Sequence, residues 1–263
     1  LWLLEGVETG FVLAHDRKVL DRYTFREHCI DASEAGTACS VMGVELATPV
    51  IMSAMTMPIP AIVENGLLAV ARGLKEAGSL LWTGTPIPQN LREIVQSGVP
   101  VAANVKPFRD RQKMFQGLEQ IQKAGVRWVG VEIDSGQGTK VRDRLIATDC
   151  APLSFRELTE IRKEVHAPLI FKGVLGAVDA VKCVDAGADG IVVSNHGAHT
   201  RDYLCHPLQV MDEIVSAVKG KAAILVDVDV LQSFEGLLRP VDFPEQRGHA
   251  QAGAAGDVEC SAG

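Results

Sequence analysis

The sequence predicts an α/β barrel of the TIM (β/α)8 type that is incomplete, with about seven strand–helix units and the eighth missing. Short β-branched runs alternate with longer stretches of helical periodicity, which is typical of a parallel sheet covered by helices. Several runs end in chemically capable residues: 129–134 in two carboxylates, 169–173 in a lysine and a glycine, and 191–197 in Ser-Asn-His-Gly. The chain has 263 residues, 47% of them hydrophobic, which is enough to bury the core of one such domain.

The composition pattern divides the chain into three parts. Residues 1–48 are predicted to form a helical lead-in and cover segment, in which 37–48 form either a small hairpin, turning near Met42-Gly43, or an irregular cover. Residues 49–235 carry the alternating units and are predicted to form the barrel. Residues 236–263 contain two prolines and a Gly/Ala-rich run without apolar periodicity, so we expect a disordered tail.

The predicted strands are the short apolar runs, which suit a sheet buried on both faces. They are expected at 49–53, 79–83, 101–105, 128–133, 168–172, 190–194 and 223–227. The intervening helices are expected at 60–76, 89–96, 111–123, from Ser154, at 177–186 and from Pro207. Glu157, three residues after Ser154, predicts a capping box at the start of that helix. Residues 135–150 form a long polar loop of the kind that is usually functional or mobile. Since apolar periodicity stops after Val230, the barrel would keep two unpaired strand edges.

Composition and charge exclude several classes of protein. The 26 Lys and Arg residues against 33 Asp and Glu give a net charge of −7, which predicts no nucleic-acid partner. No apolar run approaches the roughly 18 residues of a membrane span. The first residues are too short and too acidic for a signal peptide. The six cysteines contain no CxxC pair, which favours reduced thiols in a cytoplasmic protein over a metal or disulfide framework.

A motif of high specificity spans the last strands. The chain reads Phe-Lys-Gly-Val at 171–174, Ala-Val-Asp-Ala at 177–180 and Gly-Ala-Asp-Gly-Ile-Val-Val-Ser-Asn-His-Gly at 187–197. This order resembles the FMN-dependent α-hydroxy-acid oxidase/dehydrogenase family, of the glycolate oxidase and lactate oxidase type, with weaker similarity over 6–230. The resemblance implies FMN as the cofactor and oxidation of a small-molecule 2-hydroxy acid to a 2-oxo acid. It leaves open the particular acid, the electron acceptor and whether the protein is a homo-oligomer.

The resemblance also implies catalytic roles for three residues. His196 stands where the family places its catalytic base, and imidazole is well suited to proton transfer near neutral pH. Asp134 occupies the place of the aspartate that orients this histidine. Lys172 corresponds to the lysine beside the N1/C2 edge of the flavin, where a positive charge stabilises the anionic reduced ring.

Further positions are implied to contact cofactor or substrate. Beside Lys172, the implied flavin contacts are Ala54, Met55, Thr56, Thr85, Asn104, Glu132, Ser194 and Asp227. Asn104 replaces the family's usual glutamine and Glu132 its usual threonine. A carboxylate at Glu132 would disfavour an anionic flavin unless it is protonated or paired with Lys106 or Lys172.

The substrate site departs from the family pattern. Lys106 stands where many members have a substrate-facing tyrosine. His199 occupies the position of the family's substrate-carboxylate arginine, and Arg201 lies two residues further on. Either could bind a carboxylate, although only arginine has the bidentate fork.

The phosphate-binding pattern is the largest departure. The family's seventh strand ends in Asp-Gly-Gly-x-Arg, whereas residues 227–231 here read Asp-Val-Asp-Val-Leu, and the Gly-Arg of an eighth strand is missing. Two hypotheses therefore compete: an FMN-dependent oxidoreductase, and a truncated or frame-shifted remnant that no longer binds FMN tightly. A third, another FMN barrel such as an isomerase or nucleotide dehydrogenase, is disfavoured by the Ser-Asn-His-Gly motif.

Overall fold

The fold is organised around a parallel sheet that curls into part of a barrel. The computed structural model describes residues 6–32, 34–57, 59–137 and 149–227, and in this part the parallel sheet has six strands. They are β3 (Leu81–Thr83), β4 (Val101–Val105), β5 (Trp128–Glu132), β6 (Leu169–Val174), β7 (Gly190–Ser194) and β8 (Ala223–Asp227). Each strand pairs in parallel with the next one along the chain. The predicted incomplete α/β barrel is therefore confirmed.

Eight α-helices lie within the described ranges, and two of them begin at a side-chain cap. They are α1 (Phe11–Leu20), α2 (Ile59–Ile62), α3 (Gly66–Glu76), α4 (Leu91–Gln96), α5 (Arg111–Ala124), α6 (Phe155–Glu164), α7 (Ala177–Asp185) and α8 (Met211–Val218). Asp110 accepts from the amides of Gln112 and Lys113 at the start of α5, and Gly125 ends that helix in the left-handed conformation. The predicted capping box of Ser154 and Glu157 is present at the start of α6.

The prediction of a strand at 49–53 was wrong. This segment does run beside β3, because the Met52 and Met55 amides donate to the carbonyls of Leu80 and Trp82 at 3.2 and 3.1 Å. A regular ladder does not form, since Pro49 has no amide hydrogen and the Val50 carbonyl accepts from the Ser79 hydroxyl instead. The segment thus covers the edge of β3 without being a strand.

Two predicted helices also differ from the structure. The helix expected at 60–76 is divided into α2 and α3, because Asn65 adopts a left-handed conformation between them. The helix expected from Pro207 begins as a short 3-10 helix, Pro207–Gln209, and continues as α8. The loop at 135–150 is described only at its two ends, and the predicted tail at 236–263 lies outside the described residues.

Apolar side chains pack on both faces of the sheet. The larger cluster lies between the sheet and its helices, with Met114, Leu118 and Ile121 of α5 among its buried members. A smaller cluster fills the inside of the curl with Leu80, Trp82, Ala102, Trp128, Ile170 and Val192. The antiparallel hairpin of β1 (Cys39–Val41) and β2 (Val44–Leu46) packs Val44 and Leu46 against this inner cluster. The hairpin therefore closes the inside of the curl.

The two ends of the curl meet at the carboxyl side of the sheet. The Ser53 hydroxyl, on the segment beside β3, is hydrogen-bonded to the Asp227 carboxylate at the end of β8. This contact joins residues 174 positions apart in sequence. Within the described ranges, no helix is both long enough and apolar enough to cross a membrane.

Candidate functional site

The candidate site lies on the inner face of the sheet, at the carboxyl ends of its strands. Successive residues of a strand point to opposite faces, so side chains two apart share a face. The inward positions are apolar in the body of the sheet and become polar at the strand ends. The polar residues are Asn104 on β4, Glu132 on β5, Lys172 on β6, Ser194 on β7 and Asp227 on β8. The carboxyl ends of barrel strands are where such folds place their active sites.

A buried lysine stands at the centre of this row. The side chain of Lys172 lies 2.6 Å from Asp227 Oδ2 and donates to the Ser194 hydroxyl at 3.0 Å. Ser194 in turn donates to the same Asp227 oxygen at 2.8 Å. Because Ser53 is bonded to the other Asp227 oxygen, three strand ends and the segment beside β3 are tied together.

The carboxylates around Lys172 keep it charged. Burial by itself lowers the pKa of Lys172, but the charges of Asp227, Asp134 and Glu132 reverse this effect and raise the pKa. Burial raises the pKa of Asp227, but the Lys172 ammonium and the hydroxyls of the two serines lower it by more, so the net direction is down. The site therefore holds a permanent cation in a water-poor environment.

His196 is oriented by Asp134. Nδ1 of the imidazole lies 2.8 Å from Asp134 Oδ2, and since a carboxylate can only accept, this nitrogen carries the hydrogen. Nε2 of the neutral ring is then the nitrogen that can accept a proton. Burial raises the pKa of the Asp134 carboxyl, but the neighbouring His196 and Lys172 lower it by more, so Asp134 is ionised. The two residues form a base with a fixed tautomer.

A bulge in β6 makes this pair possible. The register of β6 against β7 shifts between Lys172 and Val174, and Gly173 has a left-handed φ of 96°. A Cβ at Gly173 would lie 2.2 Å from Asp134 Cγ. Only glycine therefore allows Asp134, in the 3-10 helix Ile133–Gln137 after β5, to pack against β6.

The backbone at His196 is strained. His196, Gly197 and Ala198 have successive φ values of 60°, 59° and 62°, and two of the three are not glycine. Each such residue costs on the order of 1 kcal/mol or more and persists only where the surroundings hold it. One restraint is the Ser194 hydroxyl, which accepts from the His196 amide at 3.0 Å.

Glu132 faces the reactive nitrogen of His196. Its Oε2 lies 3.9 Å from His196 Nε2, 3.7 Å from Lys106 Nζ and 3.4 Å from the Ser135 hydroxyl. The sequence left open whether Lys106 or Lys172 would pair with this carboxylate, and the direct ion pair in the structure is with Lys106. A positive charge thus lies beside the Glu132 carboxylate.

Trp82 is a site residue that the sequence analysis missed. Its indole Nε1 donates to Asn104 Oδ1 at 2.7 Å, and the Asn104 amide donates to Glu132 Oε1 at 3.5 Å. Trp82 also meets Trp128 edge-to-face, with ring centroids 6.0 Å apart. The sequence does contain a signal for Trp82. It lies two residues after Leu80 in the strand predicted at 79–83, so both side chains point to the inner face.

The remaining candidates lie around this centre. Thr56 is buried, and its hydroxyl donates to the Gly84 carbonyl at 2.9 Å, while Thr85 reaches the Asn104 carbonyl only at 3.5 Å. Ala54 and Met55 lie on the segment beside β3, and the Ala54 carbonyl oxygen would be 3.2 Å from a Cβ on Gly84. His199 is half-buried and Arg201 is exposed, and both follow closely after the strained residues 196–198. The structure gathers these residues at the same end of the sheet.

Comparisons with known proteins agree with this geometry. The model of the family described as FMN-dependent dehydrogenase matches residues 2–145 and 136–233. Among curated relatives, glycolate oxidase 3 of Arabidopsis thaliana is 24% identical over 259 residues, with 84% of this chain and 70% of the relative covered. Glycolate oxidase of Spinacia oleracea is 23% identical with the same coverage.

Solved structures show the same relationship. A crystal structure of mandelate oxidase superposes with a TM-score of 0.77 and 26% identity, covering 87% of this chain and 73% of the other. A mandelate oxidase variant with a C4a-OH-FMN adduct gives a TM-score of 0.78 and 27% identity, with the same coverage.

Proposed function

The chain belongs to the FMN-dependent dehydrogenase family, and on that premise we propose that it oxidises a small 2-hydroxy acid to the corresponding 2-oxo acid. Its relatives are hydroxy-acid oxidases, and FMN is the cofactor of the family. The observation that carries the proposal is the His196–Asp134 pair, held at the end of the sheet beside the buried cation of Lys172.

The described donor set fits the ring and ribityl parts of FMN. The pyrimidine edge of a flavin presents hydrogen-bond acceptors and one N–H donor, which the Lys172 ammonium and the two-sided amide of Asn104 complement. Ser194 and Asp227 supply a hydroxyl and a carboxylate suited to ribityl hydroxyls. When bound, FMN would accept two electrons and one proton from the substrate.

His196 removes the proton that accompanies this oxidation. The substrate loses two electrons and two protons when its C–H and O–H bonds become a C=O bond. His196 Nε2 accepts one of these protons, while Asp134 holds the opposite nitrogen and stabilises the imidazolium that results. The positive charge of Lys172 would stabilise the negative charge that a bound flavin ring gains on reduction.

We assign recognition of the substrate carboxylate to the turn after His196. Arg201 and His199 lie three to five residues beyond the base, and arginine offers a bidentate match to a carboxylate. The Lys106–Glu132 pair lies on the β4–β5 side of His196 and is poised to meet the rest of the substrate. Glycolate, lactate and mandelate form a first panel of substrates of increasing side-chain size.

The test is the substitution His196→Ala in protein reconstituted with FMN. We expect the dissociation constant for FMN to change by less than about threefold, since the donors that suit the flavin are elsewhere. Reduction of bound flavin by a substrate of the panel should slow by about 10³-fold or more, because the base is lost. Stopped-flow absorbance of the flavin measures this rate.

The matched control is His166→Ala, which removes an exposed histidine before β6 and should leave reduction unchanged. Equal reduction rates in wild type and His196→Ala would remove His196 from the mechanism. Failure of the folded wild-type chain to bind FMN at about 100 μM would instead favour the remnant that has lost its cofactor.

A further inference from the structure

We propose that residues 7–16 of the N-terminal segment position the catalytic base, with Asp16 as the central positioning residue acting through Asn195. The inference rests on the proposed function, because positioning matters only if His196 is the base. The turn it concerns, residues 195–203, follows β7 and carries His196, His199 and Arg201. None of the contacts described next involves the flavin-facing row of strand ends.

Asp16 anchors the start of this turn from inside α1. Val12, Asp16 and Val19 form the buried face of the helix, so the carboxylate points away from solvent. Asp16 Oδ2 accepts from Asn195 Nδ2 at 2.7 Å, and both residues are 1% exposed. A hydrogen bond to a buried carboxylate is strong and directional, so it fixes the side chain of the residue directly before His196.

Asn195 also joins the turn to the segment that follows it. The same Nδ2 group lies 3.4 Å from the Cys205 carbonyl, so one amide links α1, the end of β7 and the exit of the turn. This arrangement matters because His196 and Ala198 have left-handed φ values without being glycine. Such a backbone relaxes unless contacts on both sides hold it.

Three other residues of the segment hold the rest of the turn. The Val7 amide donates to the Ala198 carbonyl at 3.0 Å. The Thr9 amide donates to Asp202 Oδ2 at 2.8 Å, and the Thr9 hydroxyl bonds to the same oxygen. The Phe11 ring stacks on Tyr203 with centroids 4.3 Å apart and an interplanar angle of 12°.

These contacts occur at the beginning, middle and end of the turn. Together they hold the backbone that carries His196 in place. None of them supplies a side chain that takes part in the reaction. A residue with this role changes the order of the turn when it is removed, whereas a residue that only stabilises the fold changes all regions in proportion to the loss of stability.

The experiment compares Asp16→Ala with Asp16→Asn by native-state hydrogen exchange and by NMR of ¹⁵N-labelled histidine. The amides of His196 and His199 report on the turn, because they donate to Ser194 Oγ and to the His196 carbonyl. We expect both to exchange at least about tenfold faster in Asp16→Ala, and the hydrogen on His196 Nδ1 to lose its hydrogen-bonded chemical shift. Asp16→Asn should restore much of both signals, since its carbonyl can still accept from Asn195.

The matched control is Ile121→Val, which removes a buried methylene group on α5, a helix that packs on β4 and β5. It should lower global stability without selective exchange in the turn. If Asp16→Ala changed the turn only in proportion to this control, the proposal would be overturned. If Asp16→Ala fails to fold, Thr9→Ala replaces it, and unchanged exchange across residues 198–203 in that variant would equally reject the inference.

Hydrogen exchange and histidine NMR require no flavin, so they test the positioning role of Asp16 separately from the proposed function. Loss of turn order without any FMN binding would overturn the proposed function and leave the positioning contacts established. With FMN bound, Asp16→Ala should slow flavin reduction by about tenfold at saturating substrate, with partial rescue in Asp16→Asn. A normal reduction rate despite a disordered turn would show that Asp16 does not position the base.

Discussion

Two glycines determine how the site is packed, because each leaves room for a neighbouring polar side chain. A Cβ at Gly130 would lie 1.7 Å from Asn104 Oδ1, so the absence of a side chain on β5 makes room for the amide on β4. Gly173 does the same for Asp134 and in addition needs its left-handed φ. The polar row thus depends on two glycines that carry no chemistry themselves.

The substitution Gly173→Ala tests this dependence. The new methyl group would overlap Asp134 and the residue would be strained at φ 96°, so Asp134 should move away from His196. We expect a loss of about 1–3 kcal/mol in the free energy of unfolding, measured with denaturant, and loss of the NMR signature of the Asp134–His196 bond.

The matched control for this change is Gly73→Ala. Gly73 lies inside α3, its φ is not positive, and apart from its chain neighbours and the backbone of α3 no atom lies within 4 Å of a Cβ built there. Alanine at this position should stabilise the protein by about 0.5–1 kcal/mol. An equal effect of the two substitutions would contradict the packing role of Gly173.

At the scale of elements, the start of α6 is tied to the start of α5. Glu157 completes the capping box with Ser154 and forms an ion pair with Arg111 at 2.7 Å. Arg111 also donates to the carbonyls of Phe108 and Pro152, at 2.6 Å each. This cluster fixes the two segments that flank β5 near its carboxyl end.

The cluster predicts a dependence of stability on acid pH. Burial raises the pKa of Glu157, but hydrogen bonds from Ser154 and the Arg111 guanidinium lower it by more, to about 2. Because the folded pKa lies below the unfolded value of about 4.3, the contribution is complete above pH 4.3 and is lost as pH falls toward 2. Urea unfolding across this range should show a smaller loss in Glu157→Gln than in wild type.

Ser154→Ala provides the comparison for that measurement. It removes the capping hydroxyl but keeps the Glu157–Arg111 pair, so it should cost about 1 kcal/mol at neutral pH and retain part of the acid dependence. Parallel acid profiles for wild type and Glu157→Gln would show that this carboxylate is not responsible.

At the scale of the whole molecule, the sheet is curved enough for distant segments to meet. Ser53 and Asp227 join the edge beside β3 to β8, while Lys172 and Ser194 connect the strands next to β8. The polar groups suited to a flavin therefore come from nearly every strand of the described sheet. A ligand bound to them should stabilise the whole curl.

FMN should accordingly raise the thermal stability of the chain. At a free FMN concentration about 100 times the dissociation constant, the expected gain is about 2.7 kcal/mol, or about 5–10 °C in Tm for a domain of this size. Differential scanning fluorimetry at a wavelength outside flavin emission, or calorimetry, measures the shift. Riboflavin is the matched ligand, because an equal shift would mean that the phosphate contributes nothing.

Lys172→Met supplies the protein control for the same measurement. It removes the buried cation proposed to face the flavin ring and should abolish most of the FMN-dependent shift. No shift for the folded wild-type chain at about 100 μM FMN would contradict cofactor binding at this site.

Much of the architecture could be predicted from sequence, because its signals are local. Six of the seven predicted strands, all except the one at 49–53, match observed strands within about two residues, and Ser154 and Glu157 form the expected cap. The strand predicted at 49–53 failed because its hydrogen bonds depend on partners on β3 and Ser79, far along the chain. The break at Asn65 likewise reflects a left-handed residue that periodicity does not reveal.

The sequence by itself determined the order of the parallel strands, the identity of the family and the kinds of side chain at the strand ends. All three depend on short runs of neighbouring residues. Only the tertiary structure decided that Glu132 pairs directly with Lys106, that Trp82 orients Asn104, and that Asp16 supports Asn195. These contacts depend on register, curvature and packing between segments 22 to 179 residues apart. Local periodicity cannot specify such distances, because they arise only when the whole sheet has curled and its covering helix has docked.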